Sequence, residues 1–229
     1  MPHRIAVIDF ETTGMAPDDG ARATELGLVL LEGGRVVERF QSLMRSGAWV
    51  SPFITQLTGI TQAMVDAAPP AAEVMREAAR LVQGVPLVAH NAAFDRKFWQ
   101  HELALARLAA PQPFVCTVLL ARRLYPQAGS HSLGHLAAHL QLPATGRAHR
   151  ALADAEMAAA LLLRMQHDLR TRWSVAQPDF GTLQQLQQLQ RLARPAVQRW
   201  LARQAAGEGA GANANEAADT AAKMSKIRT

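Results

Sequence analysis

An apolar run that closes on two carboxylates, HRIAVIDFETTG from His3 to Gly14, constrains this chain more than any other feature. The Ile and Val content of His3 to Phe10 predicts a buried strand. Side chains two apart on a strand share a face, so Asp9 and Glu11 point the same way at its carboxyl end. In open α/β sheets that end is where ligands bind. Two adjacent carboxylates repel, and each holds its proton more tightly unless something positive lies between them. A hard divalent cation with oxygen ligands, Mg²⁺ or Mn²⁺, resolves the repulsion.

The rest of the chain supplies a frame for that strand. TELGLVLLEGGRVVERFQSLM predicts two strands joined by a turn at Gly33-Gly34. SPFITQLTGITQAMVDAAPP predicts short helical turns. A helix is expected over Ala71 to Gln83, then a strand in VPLVAHN and a helix over Ala92 to Leu108. PFVCT predicts a fifth strand, followed by a helix over Val118 to Tyr125. HSLGHLAAHL and ALADAEMAAALLLRMQHDL predict two more helices. The fold class expected is α/β, a mixed five-stranded sheet flanked by helices. Past Trp173 the sequence turns to Gln, Leu and Arg, with Leu183, Leu186, Leu189 and Leu192 spaced by three and Pro195 expected to break the helix. The expected division is a main domain over 1–172, a helical extension over 173–206 and a disordered tail over 207–229.

Two further acids and a histidine change the meaning of the first pair. HNAAFD puts Asp95 one turn beyond the fourth strand, where it reaches the same crevice if that strand lies beside the first. HRALADAE puts Asp154 on the long helix, on a face shared with the small Ala151 and Ala158. Five residues on one helix turn through about 500°, so His149 can cooperate with Asp154 only from before the helix start. Four carboxylates and one near-neutral base suit two-metal hydrolysis of a phosphodiester, with the histidine accepting a water proton.

In this order, D-x-E, HNAAFD and H-x-x-x-x-D, the motifs resemble those of the DEDDh-type 3′–5′ exonucleases. Among them the chain is similar to the proofreading epsilon subunit of bacterial DNA polymerase III and its free-standing relatives. DFETTG, LTGIT, HNAAFD, HSLGHLA and HRALADA stand in family order across residues 4–167. The resemblance implies a ribonuclease H-like fold and two divalent cations, Mg²⁺ or Mn²⁺. It implies that Asp9, Glu11 and Asp154 hold the main metal. Asp9 would share the second with Asp95, and His149 would be the general base. Thr12, Thr13 and Met15 fall where the family lines the pocket for the terminal nucleotide, and Leu57 and Phe94 match positions that pack on base or sugar. Thr58 stands where the epsilon subunit typically has histidine.

The function expected is removal of nucleoside 5′-monophosphates from the 3′ end of single-stranded or frayed DNA, in proofreading or repair. The same site acting on RNA, as in relatives of oligoribonuclease and ribonuclease T, is the alternative. A non-catalytic nucleic-acid-binding or polymerase-scaffold module is the alternative from another class. Lys and Arg outnumber Asp and Glu by 24 to 19, which suits a polyanionic partner. The C-terminal helices are the candidate surface for a polymerase subunit or for self-association. The single cysteine, Cys116, excludes an internal disulfide and suits a reducing cytoplasm. No apolar run reaches the roughly 18 residues of a membrane span, and the N-terminus lacks the features of a signal peptide. His131, His135 and His139 recur every four residues but lack a further zinc ligand, and Leu133, Leu136 and Leu140 give that segment an ordinary apolar stripe. Glu25 and Trp99 read as structural.

Overall fold

The computed structural model describes residues 4–143, 146, 148–189 and 194–207. Five strands, β1 (Arg4–Thr12), β2 (Ala23–Glu32), β3 (Arg35–Leu43), β4 (Leu87–Ala89) and β5 (Phe114–Cys116), form one sheet in the order β3-β2-β1-β4-β5. β1 runs antiparallel to β2 and β2 to β3, whereas β4 runs parallel to β1 and to β5. The sheet is therefore mixed, as the element order predicts. Between the strands and after them come α1 (Pro52–Thr58), α2 (Gln62–Asp66), α3 (Ala71–Leu81), α4 (Ala92–Leu105), α5 (Thr117–Leu124), α6 (Leu133–His139), α7 (Ala151–Trp173), α8 (Phe180–Gln188) and α9 (Arg194–Ala205).

The alternation along β1 decides what each face packs against. Ile5 and Val7 join a core built with Leu120, Leu161, Leu162 and Met165 of α5 and α7. Ala6, Ile8 and Phe10 join a second core with Val74, Met75 and Ala78 of α3 and Phe98, Trp99 and Leu103 of α4. Asp9 and Glu11 continue the register of Ile5 and Val7, toward the face that α7 covers. Trp99 is fully buried, which agrees with a core role.

β1 outruns its expected end at Phe10. Pairing with β2 continues through Glu11 opposite Glu25, then a bulge, then Thr12 opposite Ala23. A bulge re-aims side chains locally, and this one lies beside the acids. β4 and β5 are shorter than expected because they pair only over Leu87–Ala89 and Phe114–Cys116. α7 runs to Trp173, where Ser174 adopts a left-handed conformation with φ of 53° and ends it.

Past Trp173, Leu183 and Leu186 of the leucine stripe are buried and Leu189 is partly buried. Leu183 and Leu186 of α8 and Val197, Trp200 and Leu201 of α9 join the core of α5 and α7. Gln187 ties α8 to β5, accepting from the Cys116 amide at 2.9 Å and donating to the Phe114 carbonyl at 3.1 Å. α8 ends at Gln188, with Leu189 extended, and Pro195 falls in the first turn of α9. Leu192 and the tail over 208–229 lie outside the described residues.

Candidate active site

Asp9 and Glu11 end β1 on one face, and each other functional side chain reaches them from a different element. Asp95 sits in the first turn of α4, 2% exposed, where its Oδ1 accepts from the Phe10 amide at 3.2 Å. Asn91 makes that approach possible. Its left-handed φ of 66° swings the chain from β4 directly into α4. His90, at the same corner, holds Thr117 Oγ1 at 2.9 Å, which joins the end of β4 to the start of α5.

α7 delivers Asp154 from the opposite side. Its first turns present Ala151, Ala155 and Ala158, all buried, as the small residues at 151 and 158 suggest. The matching gap in the sheet is Gly27 of β2. A Cβ there would stand 2.2 Å from the carbonyl carbon of Ala151, so only glycine allows the helix start to settle so deep. Glu25, fully buried two residues earlier, fixes the same helix start. Its carboxylate accepts from Arg150 at 2.6 and 3.1 Å, from the Ala151 amide at 3.0 Å and from Gln41 at 2.8 Å. These bonds hold the Glu25 carboxyl below the ordinary carboxylate range despite its burial. Glu25 is thus structural, as expected, and its structure serves the site.

His149 lies just before α7, as its spacing from Asp154 requires, with an exposed side chain and a left-handed φ of 60°. Its backbone amide donates to Asp154 Oδ2 at 3.0 Å. Donor atoms of Glu11, His149 and Asp154 all lie within 4.8 Å of one another, a spacing that one metal ion could bridge.

These residues open into a cleft of about 400 Å³ lined by Asp9, Glu11, His149 and Asp154. Thr12, Thr13, Met15, Leu57 and Phe94 line the same cleft, so all five expected nucleotide contacts converge on the acids. The two threonine hydroxyls are engaged in shaping their loop. Thr12 donates to the Gly14 carbonyl at 2.7 Å, and Thr13 Oγ1 accepts from the Arg22 amide at 3.0 Å. Arg22 is itself held by Glu102 through bonds of 2.8 and 2.9 Å. Thr58 is 1% exposed, and its hydroxyl donates to the Ile54 carbonyl and accepts from the Ile60 amide. It closes the end of α1, so the departure from histidine leaves a helix stop with no free hydroxyl.

Burial raises all four acids of the site, with mutual repulsion added at Asp9, Glu11 and Asp95. Burial pushes Asp95 up to about 8, with Glu11 adding repulsion, while the Phe10 amide pulls the other way. Burial and then Asp154 and Glu25 push Glu11 up to about 7, against the pull of Arg150. Burial raises Asp9 well above the carboxylate range, with repulsion from Asp95, Asp154 and Glu11 added. Burial raises Asp154 too, against the His149 amide. A hard cation among these carboxylates would offset the repulsion with all of them ionised. The donor set therefore fits a divalent metal.

Among the described residues, no second His, Cys, Asp and Glu cluster has metal-binding spacing. His135 and His139 stack ring on ring at 6.3 Å, and His131 meets the Tyr125 carbonyl instead. No described helix is long and apolar enough to cross a membrane. Sequence reading did not single out Gly27, Arg22, Arg150 or Phe53. Only the R of HRALADA carried a signal, by standing next to His149.

Likenesses over most of the chain agree with the motifs. The model of the exonuclease family RNase_T matches residues 6–162. A 3′-5′ exonuclease DinG of Bacillus subtilis (strain 168) is 36% identical over 187 residues, 81% of this chain and 19% of that protein. A DNA polymerase III subunit epsilon-like protein of Rhodobacter capsulatus is 36% identical over 170 residues, 72% of this chain and 24% of that protein. The chain thus spans about a fifth to a quarter of the length of these curated relatives. Among solved structures, Exonuclease X in complex with 5′ overhanging duplex DNA superposes with a TM-score of 0.63 at 28% identity, over 80% of this chain and 99% of that one.

Proposed function

Because this chain belongs to the exonuclease family RNase_T, we propose that it is a 3′–5′ exonuclease that removes nucleoside 5′-monophosphates from single-stranded or frayed DNA. The observation that carries the reading is the junction of Glu11, His149 and Asp154 donor atoms at one wall of a cleft whose other wall is apolar. Acids face the phosphodiester, and Leu57 and Phe94 face the sugar and base.

Asp9, Glu11 and Asp154 would hold one divalent cation, and Asp9 with Asp95 a second, Mg²⁺ or Mn²⁺. Bound there, the cations would supply charge neutralisation and Lewis acidity at the scissile phosphate. The chain's own residues do the rest. His149 is exposed at the cleft, so its ring can take the proton of an attacking water and release it to solvent. The bond from its amide to Asp154 keeps that ring beside the acids. Thr12, Thr13 and Met15 line the 3′-terminal nucleotide, and Asp95 stays out of water.

The likeness to a protein named DNA polymerase III subunit epsilon-like supports DNA as the substrate, and we assign the activity to proofreading or repair. We assign the nuclease to residues 1–172 and treat 173–206 as an extension packed on it. Leu183, Leu186 and Trp200 are buried, so a polymerase partner or a second copy would meet the outer faces of α8 and α9. A reducing cytoplasm suits a chain whose one cysteine, Cys116, is free and buried.

The test is digestion of 5′-labelled single-stranded DNA and RNA of matched sequence, with Mg²⁺, with Mn²⁺ and with EDTA. The expected result is a metal-dependent ladder that shortens from the 3′ end, runs faster on DNA and is lost in His149→Ala. Faster loss of RNA would reassign the same site to RNA. Binding without digestion of either would make the chain a non-catalytic module.

A further inference from the structure

Of the seven phenylalanines, Phe53 alone is largely exposed, at 69%. It belongs to none of the hydrophobic clusters formed by the described residues. Its neighbour Ile54 packs on the small core of Val50, Ile60 and Val65, which seats α1 by its other side. Phe53 and Leu57 are four apart, so they lie one above the other on the same helix face. Both line the cleft.

The helix that carries Phe53 is tied at both ends. Ser51 Oγ accepts from the Ile54 amide at 3.2 Å at the start. Thr58 and the left-handed Gly59 close the finish. The ring is therefore presented from a fixed element rather than a loose loop. Met15, 76% exposed, lines the same cleft from the loop after β1. Exposure among the large apolar lining residues rises from Phe94 through Leu57 to Phe53 and Met15, so the last two mark the outer rim.

We propose that Phe53 is the platform on which the nucleobase of the second nucleotide from the 3′ end stacks. This rests on the exonuclease reading and extends it by one nucleotide. Leu57 and Phe94 occupy the inner part of the cleft, beside the acids, and accept the terminal nucleotide. The next base along the strand meets the outer rim. An aromatic face stacks on any base, so the platform binds without reading sequence. It requires an unpaired second base, because a base stacked on Phe53 is withdrawn from its duplex partner. The substrate class selected is a single-stranded end at least two nucleotides long.

The test compares two substrates. One is a single-stranded DNA trinucleotide. The other is the p-nitrophenyl ester of thymidine 5′-monophosphate, which has a terminal nucleotide but no second base. The reading is the ratio of kcat/KM for the trinucleotide to that for the ester. Phe53→Ala should lower this ratio about tenfold. Phe53→Trp should retain it. Leu57→Ala should depress both substrates and leave the ratio within about twofold, since both carry the terminal nucleotide. A ratio unmoved by Phe53→Ala overturns the platform. A wild-type protein that cleaves neither substrate overturns the exonuclease reading, and the platform with it.

Discussion

Gly27 and Ala151 are packed backbone against backbone: a Cβ on Gly27 would stand 2.2 Å from the Ala151 carbonyl carbon and 2.3 Å from its oxygen. Neither atom belongs to a flexible side chain, so a larger residue at 27 has to move the start of α7. That start carries Asp154, and His149 precedes it by two residues.

Gly27→Ala should therefore cost stability and activity together. Overpacking of this kind costs about 1–3 kcal/mol, or a fall in Tm of roughly 2–12 °C for a chain of this size. Turnover should fall more than about tenfold even where the variant is fully folded. Thermal unfolding and single-turnover rates measured side by side check both, and an active variant of normal Tm would show that α7 can settle elsewhere.

The ion pair of Glu25 and Arg150 should behave as a brace. Arg150→Ala leaves a fully buried carboxylate with only Gln41 and the Ala151 amide as partners. The expected loss is about 2–3 kcal/mol, below the usual figure for a buried pair because Arg150 is partly exposed. Arg150→Lys should recover only part of it, since an ammonium cannot reproduce the paired bonds. Urea unfolding of the three proteins measures this.

The metal-free protein should lose stability as pH rises from about 4 to about 8. Asp95 is raised from 3.8 to about 8, and Glu11 from 4.5 to about 7. The folded carboxyls thus hold protons that the unfolded chain has released, which favours the fold at low pH and stops favouring it once they ionise. Mg²⁺ should raise Tm most at the alkaline end of that window. Differential scanning calorimetry with and without Mg²⁺ at several pH values is the check, and a flat metal-free profile would refute the assignment.

Asp95→Asn should separate stability from function. The amide oxygen can still accept from the Phe10 amide, while the buried charge disappears. The metal-free variant should melt higher than wild type at pH 8, with turnover reduced at least about 100-fold. Calorimetry and oligonucleotide digestion on one preparation decide it.

Arg22→Ala should act on substrate binding. The Arg22 side chain bonds Glu102 on α4 and the Ser46 carbonyl, while its backbone amide holds Thr13 Oγ1, so truncating the side chain keeps the bond to Thr13 but loosens the segment on which the Thr12–Met15 loop is anchored. KM for a single-stranded oligonucleotide should rise about tenfold with a smaller change in kcat. Steady-state kinetics distinguish this from a fall in kcat alone.

Local pattern carried much of this architecture. The alternation of β1 places Asp9 and Glu11 on one face, and the structure shows that α7 covers it. The five-residue spacing of His149 and Asp154 required the histidine to precede the helix, and it does. What pattern could not show depends on who sits across from whom. Gly27 reads as a weak point in a strand until Ala151, 124 positions later, lies on it. Glu102 follows His101 without completing a metal motif, and only the fold reveals Arg22 as its partner. The ends of β4 were overdrawn for a similar reason, since Val85 to Asn91 is apolar enough for a longer strand but pairs over only three residues.

The seat of α7 on β2 also has a consequence for synthesis. Chains fold from the amino end as they emerge. The acidic strand, its hairpin and Asp95 come first, while His149, just before α7, and Asp154, on it, come much later and take their places only when that helix docks. On the proposed reading, a nascent chain therefore displays its acidic strand before the site is complete, and the acid set closes only when the segment carrying Asp154 settles over Gly27.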